Sequence, residues 1–224
     1  MIRLSDIKKS YGKKQILTGV DLYVPRGRCV GLVGKNGSGK STLLSIMAGA
    51  LKADSGTISY HDKLMAKRED LARYAAFVPQ ENPLIEELSV KDNLRLWYAD
   101  SLISLEEALT NGLPHEMGLQ AILKEKVKNL SGGMKKRLSI ACALANDAPV
   151  LLLDEPAASL DLVMKQDIVS YLKKYLARGG TVVISSHDRD ELAICDTLYH
   201  LSDGKLNEIP SGTGIEELVE LLTN

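Results

Sequence analysis

The run Arg28–Leu51, "RCVGLVGKNGSGKSTLLSIMAGAL", decides the fold. Cys29 to Val33 is apolar without polar alternation, as expected of a short strand covered on both faces. Leu43, Leu44, Met47 and Leu51 then recur at helical spacing. Between strand and helix, Gly34-Lys35-Asn36-Gly37-Ser38-Gly39-Lys40-Ser41-Thr42 fits the pattern G-x-x-x-x-G-K-[ST]. The chemistry asks for these residue types. Glycines let successive backbone N–H groups turn inward as an anion nest, and the helix N-terminus adds free N–H groups and its positive dipole end. Lys40 supplies a cation for the β- and γ-phosphates, and the Ser41 hydroxyl is a ligand for Mg²⁺.

Downstream, "PVLLLDEP" and "TVVISSH" are further apolar strands, separated by the helical patterns "VMKQDIVSYLKKYLARGG" and "RDELAICD". Such alternation predicts a largely parallel sheet. Asp154 and Glu155 close the first of these strands, at the carboxyl edge where such sheets bind ligands. There an acid can hold Mg²⁺ (Asp154) and another can act as general base on water (Glu155). Upstream, "MIRLSDIKKSY" and "QILTGVDLYVP" flank "GKK" and read as an antiparallel hairpin; "GTISYHD" and "YAAFVPQ" are additional strands. "LSVKDNLRLWYA", "SLEEALTNG" and "LQAILKEKV" are helical in pattern, with Ser89 and Asp92 placed like a capping box. "TLYHLSDGKLNEIP" reads as a last hairpin around Asp203-Gly204, and Ile215, Leu218, Val219 and Leu222 share one face of a terminal helix.

Composition bounds the function classes. The chain has 224 residues, 45% hydrophobic and 25% charged, with formal net charge −1. It is large enough for a full core, and its charge balance does not point to nucleic acid. Cys29, Cys142 and Cys195 are far apart and form no Cys-x-x-Cys, which fits a reducing compartment and buried packing rather than a disulfide framework or zinc site. No apolar run is long enough to span a membrane.

A second glycine element, Leu130-Ser131-Gly132-Gly133-Met134, opens a helix ahead of Lys135, Lys136 and Arg137. Two glycines there cost about 1 kcal/mol each relative to alanine. The order of elements resolves the oddity: "GKNGSGKST", Gln80 in "VPQEN", "LSGGM", "VLLLDEP", "SLD", then His187 after "TVVISS". In this order, over nearly its whole length, the chain resembles the nucleotide-binding domain of an ABC ATPase. The resemblance implies an α/β P-loop NTPase core with a mixed sheet, an N-terminal antiparallel β subdomain and an inserted α-helical subdomain. Residues 1–224 are then one domain, with 1–80 and 131–224 as core and 81–130 as the helical subdomain.

The resemblance also implies roles. Gln80 resembles the glutamine that meets Mg²⁺ or the lytic water, His187 the switch histidine that orients Glu155, and Tyr11 the aromatic that stacks on adenine. Leu130 to Met134 resemble the signature that is presented to the partner subunit's ATP in a head-to-tail dimer, where the glycines allow close approach to a phosphate. Ser159 and Asp161 resemble the loop that signals across that dimer, with a plain helix cap as the alternative. Met134 stands where the family most often has Gln. Lys135, Lys136 and Arg137 read as a solvated helix face or as contacts to a permease.

The function implied is that of an ATP-binding subunit hydrolysing ATP with Mg²⁺ to drive a separate integral membrane permease. The second ATPase subunit would be an identical copy or a paralogue, with no nucleic-acid partner, and the location cytoplasmic on the inner face of the membrane. The short chain end and the wording "LSGGMKKRLSIACAL" resemble stand-alone exporter subunits for drug, peptide or lantibiotic-type cargo. Two other readings stay open: a soluble ABC ATPase such as an iron–sulfur assembly subunit, and a regulatory module that binds nucleotide without turnover.

Overall fold

The computed structural model describes residues 1–65, 68–158, 160–210 and 212–213. Its strands are β1 (Ile2–Tyr11), β2 (Lys14–Val24), β3 (Cys29–Val33), β4 (Ser55–Tyr60), β5 (Lys63–Leu64), β6 (Ala75–Val78), β7 (Val150–Asp154), β8 (Thr181–Ser185), β9 (Thr197–Ser202) and β10 (Lys205–Ile209). Its helices are α1 (Lys40–Met47), α2 (Arg68–Tyr74), α3 (Val90–Trp97), α4 (Leu105–Asn111), α5 (Leu113–Glu116), α6 (Gly132–Ala143), α7 (Leu162–Ala177) and α8 (Arg189–Leu192). One sheet runs β2-β1-β4-β5 and is antiparallel throughout. The other runs β10-β9-β3-β8-β7-β6; it is parallel from β9 to β6, with β10 antiparallel at its edge.

The parallel strands read as continuous apolar runs because each face of the sheet serves a different core. Val30, Leu32, Val150, Leu152 and Val183 pack with α1 and the antiparallel sheet. Their neighbours Cys29, Leu151, Leu153, Val182 and Ile184 pack with α6, α7 and the helical stretch. Every side chain of β3, β7 and β8 is therefore buried. Truncating one of them, such as Leu152 to alanine, should cost about 2–5 kcal/mol. The hairpin expected around Asp203-Gly204 forms, with both residues at positive φ (50° and 74°) as a tight two-residue turn requires.

The helical stretch departs from its sequence pattern in one place. "LQAILKEKV" forms only a 3-10 turn at Leu119–Ile122, and a second at Val127–Asn129. The intervening backbone is spent elsewhere: Leu123 and Glu125 carbonyls accept from the Lys91 and Val90 amides, and the Val127 amide donates to Leu88. A continued helix would have to surrender those bonds. Ser89 does cap α3, accepting from the Asp92 amide at 3.1 Å. "RDELAICD" likewise yields a single turn, because Asp196 turns back to β3 and exchanges hydrogen bonds with the Cys29 backbone. β5, α2 and α5 were not legible in the sequence, and the terminal stripe Ile215–Leu222 lies outside the described residues.

Candidate functional site

The strand order β3-β8-β7 brings three chain segments together at the carboxyl edge of the sheet. β3 delivers the glycine loop, β7 ends in Asp154 and Glu155, and β8 ends in Ser185 followed by Ser186 and His187. Lys40 Nζ donates to the Gly34 carbonyl at 2.6 Å and approaches that of Lys35 at 3.3 Å, so the loop wraps its own lysine. The same ammonium lies 3.3 Å from His187 Nε2 and 3.9 Å from Glu155 Oε1. His187 Nε2 is in turn 3.2 Å from Glu155 Oε1. Lys40, Ser41, Thr42, Gln80, Asp154 and Glu155 line one cavity of about 230 Å³, with Asn36, Gly37, Gly39 and Ile16 completing it.

The electrostatics follow from burial. Lys40 is only 6% exposed, and desolvation pulls its ammonium below the ordinary lysine range against the attraction of Glu155 and Asp154. Burial raises the Glu155 carboxyl above the ordinary range, while His187 and Lys40 pull the other way. Glu155 also sits at φ 47°, its amide held by the Ser185 carbonyl and hydroxyl at 3.0 and 3.2 Å. Asp154 is buried, and its Oδ1 accepts from the Ser185 hydroxyl at 2.5 Å.

These residues fit a magnesium triphosphate. Gly39, at φ 112°, precedes α1 as an N-cap with no side chain to offer, which leaves the first helical N–H groups available to an anion. Gly34, at φ 148°, lies so close to the Leu201 carbonyl that a Cβ would fall 2.5 Å from it. Ser38 Oγ and Glu155 Oε1 are buried with no hydrogen-bond partner among the described residues, a cost that an anion with its cation and water would relieve. Ser41, Asp154 and Gln80 are an all-oxygen donor set of the kind Mg²⁺ prefers.

The second glycine element opens α6. Ser131 caps α6, its Oγ accepting from the Met134 amide at 3.3 Å. Gly132 is exposed, whereas Gly133 is buried against α7, where a Cβ would lie 2.5 Å from Met164 Cγ and Sδ. One glycine of the pair is thus required by packing within the chain. The basic run is not a solvated face: Lys135 pairs with Glu86 at 2.6 Å, Arg137 pairs with Asp167, and Lys136 is 3% exposed. Burial lowers Lys136 to about 8, with Asp154 and Glu191 pulling it back up. Leu130 is buried in the core shared with the helical stretch, and Met134 is half-buried against it.

Asp161 caps α7, Oδ1 accepting from the Met164 amide at 2.9 Å; Ser159 lies outside the described residues. Tyr11 is exposed at the β1–β2 turn under the Lys9 ammonium, 5.7 Å from the ring centroid. It lines neither the cavity above nor the larger one between the loop and the β9–β10 turn. Three site residues escaped the sequence reading. Ser185 faces Asp154 in register across β7 and β8. Glu191 is buried, accepts from the Ser186 hydroxyl beside His187, and is pushed up to about 7 by burial. Lys136 is the third. Only paired serines before His187 and an acid four residues after it hinted at the first two.

A family model described as "ABC transporter" matches residues 17–158. The lantibiotic transport ATP-binding protein SrtF of Streptococcus pyogenes is 34% identical over the whole chain and 96% of its own length. The linearmycin resistance ATP-binding protein LnrL of Bacillus subtilis (strain 168) is 32% identical over 96% of this chain and 70% of its own. Among solved structures, the dimeric post-hydrolysis state of the ATP-binding cassette MJ0796 bound to ADP and Pi superposes with a TM-score of 0.84. It is 29% identical, over 96% of this chain and all of the other.

Proposed function

The chain belongs to the ABC transporter family, and from that premise we propose that it is the ATP-hydrolysing subunit of a membrane exporter. The observation that carries the chemistry is the meeting of Lys40, Glu155 and His187 within 4 Å at the ends of three adjacent strands. Loop amides and Lys40 would hold the phosphates, and Ser41, Asp154 and Gln80 would hold Mg²⁺. When bound, the metal neutralises phosphate charge. Glu155 takes a proton from the attacking water, and burial raises its carboxyl above the ordinary range, which makes it the stronger base. His187 orients Glu155 and offers a donor to the terminal phosphate.

Leu130 to Met134 face the nucleotide of a second subunit in a head-to-tail dimer, with Ser159 and Asp161 signalling across it and Tyr11 stacking on adenine. Because each nucleotide then contacts both subunits, binding favours closure. Residues 81–130 act as a helical subdomain on the core, and with the Gln80 loop they receive the permease. The chain works at the cytoplasmic face of the membrane. Export of a peptide-like or antibiotic cargo is favoured by what the relatives are named for.

The test is affinity capture of the tagged chain from detergent-solubilised native membranes, with co-purifying proteins identified by mass spectrometry. A multi-spanning permease is expected. A soluble partner, with nothing from the membrane, would move the protein to the assembly-factor class.

A further inference from the structure

Lys136 is an expensive residue in its position. An ammonium taken out of water costs several kcal/mol, offset here in part by the attraction of Asp154 and Glu191. Its hydrogen bonds go to neutral groups: Nζ donates to the carbonyls of Pro79 and Gln80, 3.2 Å each. Successive carbonyls of an extended chain point to opposite sides. For both to face one ammonium, the chain must turn as it leaves β6, and that turn sets where the Gln80 side chain goes. Gln80 lines the cavity with Lys40, Ser41, Asp154 and Glu155. Lys136 itself stands on α6, the helix capped by Ser131.

We propose that Lys136 is a positioning residue for Gln80, holding the Pro79 and Gln80 carbonyls from within the helix that Ser131 opens. A displacement of α6 at its Ser131 end is then passed to Gln80 through a direct link, without travelling through the sheet. The inference rests on the reading that Gln80 serves hydrolysis.

The test uses the full chain with Lys136→Met, Lys136→Arg, Gln80→Ala and the Lys136→Met/Gln80→Ala double variant. Steady-state ATP hydrolysis and backbone amide exchange at residues 80–82 are both measured. Lys136→Met should lower kcat about ten-fold with KM for MgATP nearly unchanged, the signature of a misplaced group. Lys136→Arg, which can still donate to both carbonyls, should restore most of it. In the Gln80→Ala background, Lys136→Met should cost nothing further, and amides 80–82 should exchange faster in Lys136→Met alone. Additive losses, or unchanged exchange, would overturn the proposal. Should Lys136→Met not fold, Lys136→Gln, a neutral and shorter donor, carries the same comparison. If Gln80→Ala hydrolyses ATP at the parent rate while Lys136→Met loosens the loop, the role of Gln80 fails and the link to α6 stands.

Discussion

Nε2 of His187 stands 3.2 Å from Oε1 of Glu155, a buried oxygen with no hydrogen-bond partner among the described residues. The pair joins the ends of β7 and its neighbour β8. Glu155→Gln keeps the shape and removes the base. ATP binding should persist, turnover should fall by about 100-fold or more, and an ATP-bound dimer should accumulate. Phosphate release and size-exclusion chromatography with ATP check this. Turnover at the parent rate would remove Glu155 from the role of base.

Lys40→Ala deletes the ammonium that the loop wraps, at 2.6 Å from the Gly34 carbonyl. ATP affinity measured by calorimetry should drop at least about ten-fold, since a charge-assisted contact to phosphate is lost. Unchanged affinity would sink the loop assignment.

Ser131→Arg places a long cation at the mouth of α6 without touching the chain's own glycine loop. ATP binding to the single chain should be retained and turnover abolished if, as proposed, the altered surface meets the partner's nucleotide. Normal hydrolysis would refute the head-to-tail arrangement.

Gly133→Ala should be destabilising by about 1–3 kcal/mol, since the added methyl meets Met164 at 2.5 Å. Met164→Ala in that background should recover much of the loss, as the space taken by the thioether is released. Chemical denaturation of the parent and the two variants measures it. Absence of rescue would mean that Gly133 is not held by Met164.

Glu191 makes stability depend on pH in a defined direction. Its folded value is raised from 4.5 to about 7, chiefly by burial, with Asp188 and Glu155 adding to the rise and the Ser186 hydroxyl and Lys165 opposing it. The folded state therefore binds the proton more tightly than the unfolded chain. Its contribution is fully present below pH 4.5 and is lost as pH rises through about 7. Glu191→Gln, neutral at all pH, should flatten the fall in Tm across that window. A slope identical to the parent's would show that Glu191 ionises as freely in the folded chain as in the unfolded one.

Much of this was legible in the sequence because it is local. The glycine loop, the apolar strand before it and the helix after it are neighbours in the chain, and so are Asp154-Glu155 and the strand that carries them. Side-chain partners are not local. Lys136 read, with Lys135 and Arg137, as part of a solvated helix face or as a permease contact because its pattern on α6 shows only helix; its acceptors lie at Pro79 and Gln80, across the exit of β6. Gly133 read as a device for approaching phosphate, and its neighbour Met164 appears only when α7 is laid against α6.

The sequence by itself determined the class of chemistry: the phosphate loop, the paired acids and the glycine-opened helix each need particular residue types at short, fixed spacings. The tertiary structure alone decided which groups meet. Strand order β3-β8-β7 set His187 beside both Lys40 and Glu155, and the register of Asp154 against Ser185 gave the buried acid its donor. A backbone motif is specified by the torsions of its own residues, whereas a side-chain contact is specified by how separate elements pack to exclude water, and that is a property of the whole chain.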